Sequence, residues 1–256
     1  MSGTVHLSRE GAIATLTLDN PAKLNAFDVP MLHGLEQHLV ALEQDDTIRV
    51  VILTGTGPKA FCVGADIPAW GSLPPAGFAR HWVRDGHRIF DRLARLSKPT
   101  IGALNGHAFG GGLELAACTD IRTITPRARI ALPEARVGVV PGWSGTQRLA
   151  RLLPEPVIKE MALFARQIGA DRAASLGFVA EIAEDALDAA KALAQAVLTL
   201  SPRSTEIGKY MIHAGAGEDS AAMIEALGGG FVASSADKTE GVAAFAEKRA
   251  PDFKGF

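Results

Sequence analysis

Along A-I-A-T-L-T-L, from Ala12 to Leu18, apolar and polar positions alternate at period two, with Leu16 and Leu18 on one face. That alternation predicts a half-buried strand. Asp28 then precedes a segment with Pro30 in its first turn and Met31, Leu32, Leu35, Leu39 and Leu42 at helical spacing, which predicts a capped amphipathic helix of about four turns. The run R-V-V-I-L-T from Arg49 to Thr54 is short, β-branched and ended by Gly55, as expected of a strand buried on both faces. The same logic repeats with a helix around Phe78 to Leu96, a strand from Thr100 to Leu104 and a helix opening at Gly110-Gly111-Gly112. Strands near Ile121 to Thr125 and Arg129 to Leu132 follow. Strands alternating with helices favour an α/β class. From Gly145 onward the spacing is helical almost throughout, including Asp185 to Leu200, Asp219 to Val232 and Ala236 to Arg249. A break at Ser201-Pro202 predicts a core domain over residues 1–200 and a helical region over residues 201–256.

Composition narrows the function classes. The 256 residues are 47% hydrophobic, enough to bury a sizeable core. A net charge of -2 provides no global field for a polyanion, so an anionic ligand must be met locally. Two cysteines, Cys62 and Cys118, do not make a disulfide framework and point to a reducing, cytoplasmic setting. The first nineteen residues lack the continuous apolar core of a signal peptide, and no apolar stretch reaches the roughly 20 residues of a spanning helix. A soluble protein without membrane or nucleic-acid partners is expected.

Three loops join glycine to polar residues where strands meet helices. In Ala60-Phe61-Cys62-Val63-Gly64-Ala65-Asp66, Gly64 permits a turn that aims successive N–H groups one way, and the small Ala65 admits a ligand close to its own N–H. An ordinary glycine turn is the alternative. In Asn105 to Glu114, three consecutive glycines open a helix whose free N–H donors suit an anion, and Glu114 falls in its first turn. Favourable charge at a helix start explains Glu114 equally well. In the third loop, Leu132 to Leu149, Glu134 sits among apolar neighbours that would raise its pKa. Pairing with Arg136 is the structural alternative.

The loops F-C-V-G-A-D-I, N-G-H-A-F-G-G-G-L-E-L and P-E-A-R-V-G-V-V-P-G-W-S-G-T-Q-R-L, in this order, resemble the crotonase (enoyl-CoA hydratase/isomerase) superfamily. N-P-A-K-L-N-A-F near the start and E-G-V-A-A-F-A-E-K-R near the end extend the resemblance over nearly the whole chain. It implies a spiral of strand-strand-helix repeats followed by a C-terminal helical region for self-association and ligand covering, in a homotrimer or dimer of trimers. It also implies an enoyl-CoA hydratase of fatty acid β-oxidation that forms a 3-hydroxyacyl-CoA and uses no cofactor beyond the coenzyme A of its substrate. Carried over residue by residue, the backbone N–H groups of Ala65 and Gly111 form an oxyanion hole for the thioester carbonyl. Glu114 activates the water and Glu134 protonates Cα, the two titrating as a coupled pair. Lys23, Ala65, Phe245 and Lys248 match positions that contact coenzyme A, the last two reaching a neighbouring subunit's ligand.

Two departures stand out. Pro68 replaces a lysine that many hydratases carry after G-A-D-I, and P-G-x-G-G-T reads Pro141-Gly142-Trp143-Ser144-Gly145-Thr146. Trp143 either narrows the acyl pocket or points into the core. The segment from Pro68 to Arg84, with Trp70, His81 and Trp82, corresponds to a variable stretch lining the acyl site. Gly55-Thr56-Gly57 lacks the third glycine of a dinucleotide fingerprint, the histidines show no H-x-x-x-H spacing, and Gly142 to Gly145 is not a nucleophile elbow. Competing readings are a Δ3,Δ2-enoyl-CoA isomerase, a specialised acyl-CoA hydrolase or lyase, and a non-catalytic acyl-CoA or RNA-binding relative. Retention of both Glu114 and Glu134 favours hydration.

Overall fold

The computed structural model describes residues 2–255. The chain divides into two compact units, Met1–Pro202 and Arg203–Phe256. Among the described residues ten strands occupy the first unit: β1 (Thr4–Glu10), β2 (Ile13–Asp19), β3 (Val50–Gly55), β4 (Ala60–Cys62), β5 (Thr100–Leu104), β6 (His107–Phe109), β7 (Ile121–Ile124), β8 (Arg129–Ala131), β9 (Ile168–Gly169) and β10 (Glu181–Ile182). One sheet has the order β1-β2-β3-β5-β7-β10 and a second the order β4-β6-β8-β9. Between β3 and β8 successive strands alternate between the two sheets, and a helix crosses back before the next pair begins. That is the expected spiral of strand-strand-helix repeats, and the joining strands run parallel. Among the described residues no helix is long and apolar enough to cross a membrane.

Period-two burial explains why β3 reads as continuously apolar. Val51 and Leu53 face the main core, while Val50 and Ile52 face a second cluster built with Ile101, Ala103 and the small residues Ala186, Ala190 and Ala194 of the helix Ala186–Leu198. A strand covered on both faces has no need of polar positions. The helix Val29–Gln44 forms as its spacing predicts: Asp28 accepts the Met31 N–H at 2.9 Å, and Met31, Leu32, Leu35, Leu39 and Leu42 are all buried.

Several elements differ from the sequence expectation. β4 and β6 lie inside segments expected to be loops, because three residues are too few to display a period. The stretch expected as one helix from Phe78 opens with a π-helical turn, Phe78–Val83, before the helix Arg84–Ala94. The region after Gly145 is not purely helical, since the two-residue strands β9 and β10 complete the two sheets.

The helix Gly111–Ala116 is short, and its C-terminal end is braced by Arg122. That buried guanidinium donates to the carbonyls of Phe178 at 2.5 Å and Thr119 at 2.6 Å and lies 4.6 Å over the Phe178 ring. Burial pulls its pKa down to about 10, still charged at neutral pH. The second unit consists of the helices Pro202–Gly215 (from its second residue), Ser220–Ala233 and Ala236–Glu247.

Candidate active site

The parallel strands β4, β6 and β8 end side by side, so the three glycine-bearing loops that follow them meet at one place. Phe27 holds the first loop: its N–H donates to the Gly64 carbonyl at 2.8 Å and its carbonyl accepts the Asp66 N–H at 2.7 Å. This bridge leaves the intervening Ala65 N–H without a protein acceptor. The Gly111 N–H, first in its helix, is equally unengaged. The two loops touch, for a Cβ on Gly64 would lie 3.1 Å from the Gly111 nitrogen. Gly64 also has φ +104°, so a side chain there is opposed by backbone conformation as well as by space.

Both sequence-predicted carboxylates line the same cavity of about 270 Å³ together with Ala65, Gly111 and Trp143. Glu114 is 2% exposed, and its Oε1 accepts the N–H groups of Trp143 and Gly145, each at 2.8 Å. Burial raises its pKa, while the N–H groups of Trp143, Gly145 and Gly142 favour the ionised form and limit the rise. A Cβ on Gly145 would stand 2.7 Å from Oε1, so only glycine fits that position. Glu134 opens the 3₁₀ turn Glu134–Val137 and is held differently. Neither of its oxygens has a hydrogen-bond partner. Burial pushes its pKa up to about 7, and the charge of Glu114 adds to the rise. The Arg136 pairing is not formed, because that guanidinium donates to the Ala165 carbonyl at 3.2 Å.

Trp143 lines the cavity and is also packed into the core. Its backbone holds Glu114, its ring lines the cavity, and the same ring packs at 5.0 Å from Phe90 and 5.2 Å from Trp82. Its Nε1–H donates to the Trp82 carbonyl at 3.1 Å. Opposite the ring, a Cβ on Gly111 would lie 2.9 Å from it, so the third loop buttresses the second.

Lys23 ends a 3₁₀ turn, Pro21–Lys23, and pairs with Asp66 at 2.5 Å beside the Ala65 loop. Phe245 and Lys248 belong to the second unit, where Phe245 is 88% exposed on the helix Ala236–Glu247 and Lys248 is its C-cap. Sequence reasoning did not single out Phe78, Val83, Val137, Val139 and Val140, which complete the cavity wall. Only Phe78 carried a signal, as an aromatic within the segment expected to line the acyl site. Among the described residues no cluster of three or more His, Cys, Asp or Glu side chains is placed to hold a metal ion.

A profile of the enoyl-CoA hydratase/isomerase family matches residues 8–255. The chain is 34% identical over 249 residues to a short-chain-enoyl-CoA hydratase of Clostridium acetobutylicum, covering 96% of this chain and 95% of that one. It is 36% identical over 265 residues to a carnitinyl-CoA dehydratase of Salmonella typhi, with both chains covered in full. The crystal structure of an enoyl-CoA hydratase from Bacillus anthracis superposes with a TM-score of 0.81 at 29% identity, covering 99% of this chain and 100% of the other.

Proposed function

The chain belongs to the enoyl-CoA hydratase/isomerase family, and from that premise we propose that it adds water syn across the double bond of a 2-enoyl-CoA to give a 3-hydroxyacyl-CoA. The observation that carries this reading is the unequal pair of carboxylates in one apolar cavity. Glu114 is fixed by backbone donors, whereas Glu134 faces the cavity unpartnered with a pKa of about 7.

The productive state has one proton on the pair, on Glu134. Ionised Glu114 takes a proton from the water whose oxygen bonds to Cβ, and Glu134 delivers its proton to Cα. The electron pair of the double bond moves through the thioester carbonyl, whose oxygen is met by the Ala65 and Gly111 N–H groups. Donors aimed at such an oxygen are worth roughly 2.7–4 kcal/mol each. The reaction leaves the proton on Glu114, and exchange with solvent restores the starting state. This chemistry asks for nothing beyond the substrate's own coenzyme A.

Lys23, the Ala65 backbone, Phe245 and Lys248 serve coenzyme A in the same reading. The second unit supports self-association as a trimer or dimer of trimers, which suits the exposed Phe231 and Phe245 on two of its helices. Two buried thiols suit a cytoplasmic enzyme of fatty acid oxidation.

The direct test is incubation with crotonyl-CoA while the conjugated thioester absorbance is followed. Steady loss with formation of 3-hydroxybutyryl-CoA supports the reading, and an unchanged spectrum at micromolar enzyme refutes it. A second expectation concerns Gly110, which has φ +51° and whose Cβ would stand 3.0 Å from Glu134 Oε1. Gly110→Ala is expected to destabilise the protein by about 1–3 kcal/mol through backbone strain and to lower hydration by at least about tenfold, because it displaces the proton donor. Denaturant melts and crotonyl-CoA kinetics on the variant check both parts.

A further inference from the structure

Two backbone donors that hold Glu114 flank a single residue. The N–H groups of Trp143 and Gly145 both reach its Oε1, and Ser144 between them has φ +77° and ψ 7°. A residue in the left-handed region turns the N–H groups on either side of it toward one point, which is how a loop cradles an anion. Serine takes that conformation at a cost that glycine escapes. The pattern P-G-x-G-G-T has glycine at this position, so the chain carries backbone strain at the very corner that holds the carboxylate.

Two contacts join this corner to the helix Arg84–Ala94. Ser144 is 4% exposed, and its Oγ lies 3.2 Å from Nδ1 and 3.3 Å from Nε2 of His87, within hydrogen-bond reach of the imidazole. Four positions further along each segment, Arg148 pairs with Asp91, which also holds Arg95 at 2.8 Å. Residues four apart share a helix face, so His87 with Ser144 and Asp91 with Arg148 form two rungs between that helix and the start of the helix Gly145–Leu152. None of these four residues lines the cavity, and His87 is exposed. They reach the chemistry only through the backbone that holds Glu114.

We propose that His87 and Ser144 are positioning residues for hydration: the hydroxyl–imidazole contact tethers Ser144 in the left-handed region, so that the Trp143 and Gly145 N–H groups stay converged on Glu114 Oε1. The inference rests on the hydratase reading only for the task given to Glu114. The Asp91–Arg148 pair holds the two helices together, and His87 acts on the one residue whose φ sets the aim of both donors. Without the tether a serine relaxes toward negative φ and the donors part. A glycine is unstrained at φ +77° and has no need of the tether. His87 therefore matters while residue 144 is serine and ceases to matter when it is glycine, a dependence that a packing role for the imidazole does not produce.

The test is a double-mutant cycle on the full chain: wild type, His87→Ala, Ser144→Gly and the two combined. Each protein is assayed for kcat with crotonyl-CoA and for binding of butyryl-CoA, a saturated ligand that asks no proton transfer of Glu114. H87A is expected to lower kcat at least about fivefold, the typical net value of one hydrogen bond, while butyryl-CoA affinity stays within about twofold of wild type. The same substitution made in S144G is expected to change kcat by less than about twofold, the scatter of uncoupled sites. A second measurement is independent of turnover. The amide proton resonances of Trp143 and Gly145 are expected to move upfield in H87A relative to wild type, as their bonds to the carboxylate lengthen, and to keep their places between S144G and the double variant. An unchanged kcat in H87A, an equal loss in both backgrounds, a matching loss of butyryl-CoA binding or unmoved amide resonances each overturns the proposal. A wild type that fails to hydrate crotonyl-CoA while the amide pattern appears sinks the hydratase reading and leaves the tether standing.

Discussion

Glu134→Gln is expected to reduce hydration of crotonyl-CoA by about 10²–10⁴-fold while leaving substrate binding nearly unchanged, since the side chain keeps its shape and loses only its transferable proton. The same variant is expected to be the more stable protein in alkaline solution. The Glu134 pKa is raised from 4.5 to about 7 by burial, so the native state binds this proton more tightly than the unfolded chain does. The stabilising contribution is therefore complete below about pH 4.5 and is lost as pH rises through about 7. At about 1.4 kcal/mol per pKa unit, the loss is on the order of 3 kcal/mol. Glutamine has nothing to ionise. The melting-temperature difference between variant and wild type should accordingly widen in favour of the variant between pH 5 and pH 8. Wild-type kcat/KM should fall over the same upper range, as the pair loses its last proton. Near-wild-type turnover in E134Q, or a melting difference that does not change with pH, contradicts this account of Glu134.

Glu114→Ala separates hydration from isomerisation. Hydration needs a second carboxylate to take the water's proton, whereas moving a double bond between two positions needs only one group that reaches both carbons. E114A is expected to lose at least about a hundredfold in hydration, the lower bound for general base catalysis. Backbone N–H groups of Trp143 and Gly145 lose their acceptor in this variant, at a cost of about 1–3 kcal/mol for each donor that water does not reach. A melting curve must therefore show the protein folded at the assay temperature. The Ala65 and Gly111 donors are backbone groups and survive, so slow exchange of α protons or slow migration of a 3-enoyl double bond is expected to persist. The decisive measurement is paired: hydration of crotonyl-CoA and isomerisation of a 3-enoyl-CoA, each in both proteins. A wild type that isomerises well and hydrates poorly, with E114A unchanged in both, replaces the hydratase by an isomerase.

The chain's own pattern determined the parts of the fold that depend on long runs. Alternation over Ala12 to Leu18, the doubly buried run before Gly55, and the capped spacing after Asp28 each extend far enough for a period to show, and β2, β3 and the helix Val29–Gln44 stand where those periods placed them. The glycine-bearing loops announced a site because glycine clusters beside acids are costly unless backbone must come close to something.

Tertiary structure decided the rest. β4 and β6 span three residues each and carry no readable period, yet their ends, parallel with that of the expected strand β8, bring Gly64, Gly110 and Glu134 together. The upward shift of Glu134 was expected from its apolar neighbours, but the partners of the two acids were hidden. Glu114 is satisfied by N–H groups about thirty positions away, and Glu134 is left unpaired because nearby Arg136 turns to a carbonyl 29 positions on. Local sequence sets backbone periodicity and the tendency to bury. The ionisation of a carboxylate or the availability of an N–H is instead a sum over neighbours in space, and those neighbours come from distant segments that only the closed fold assembles.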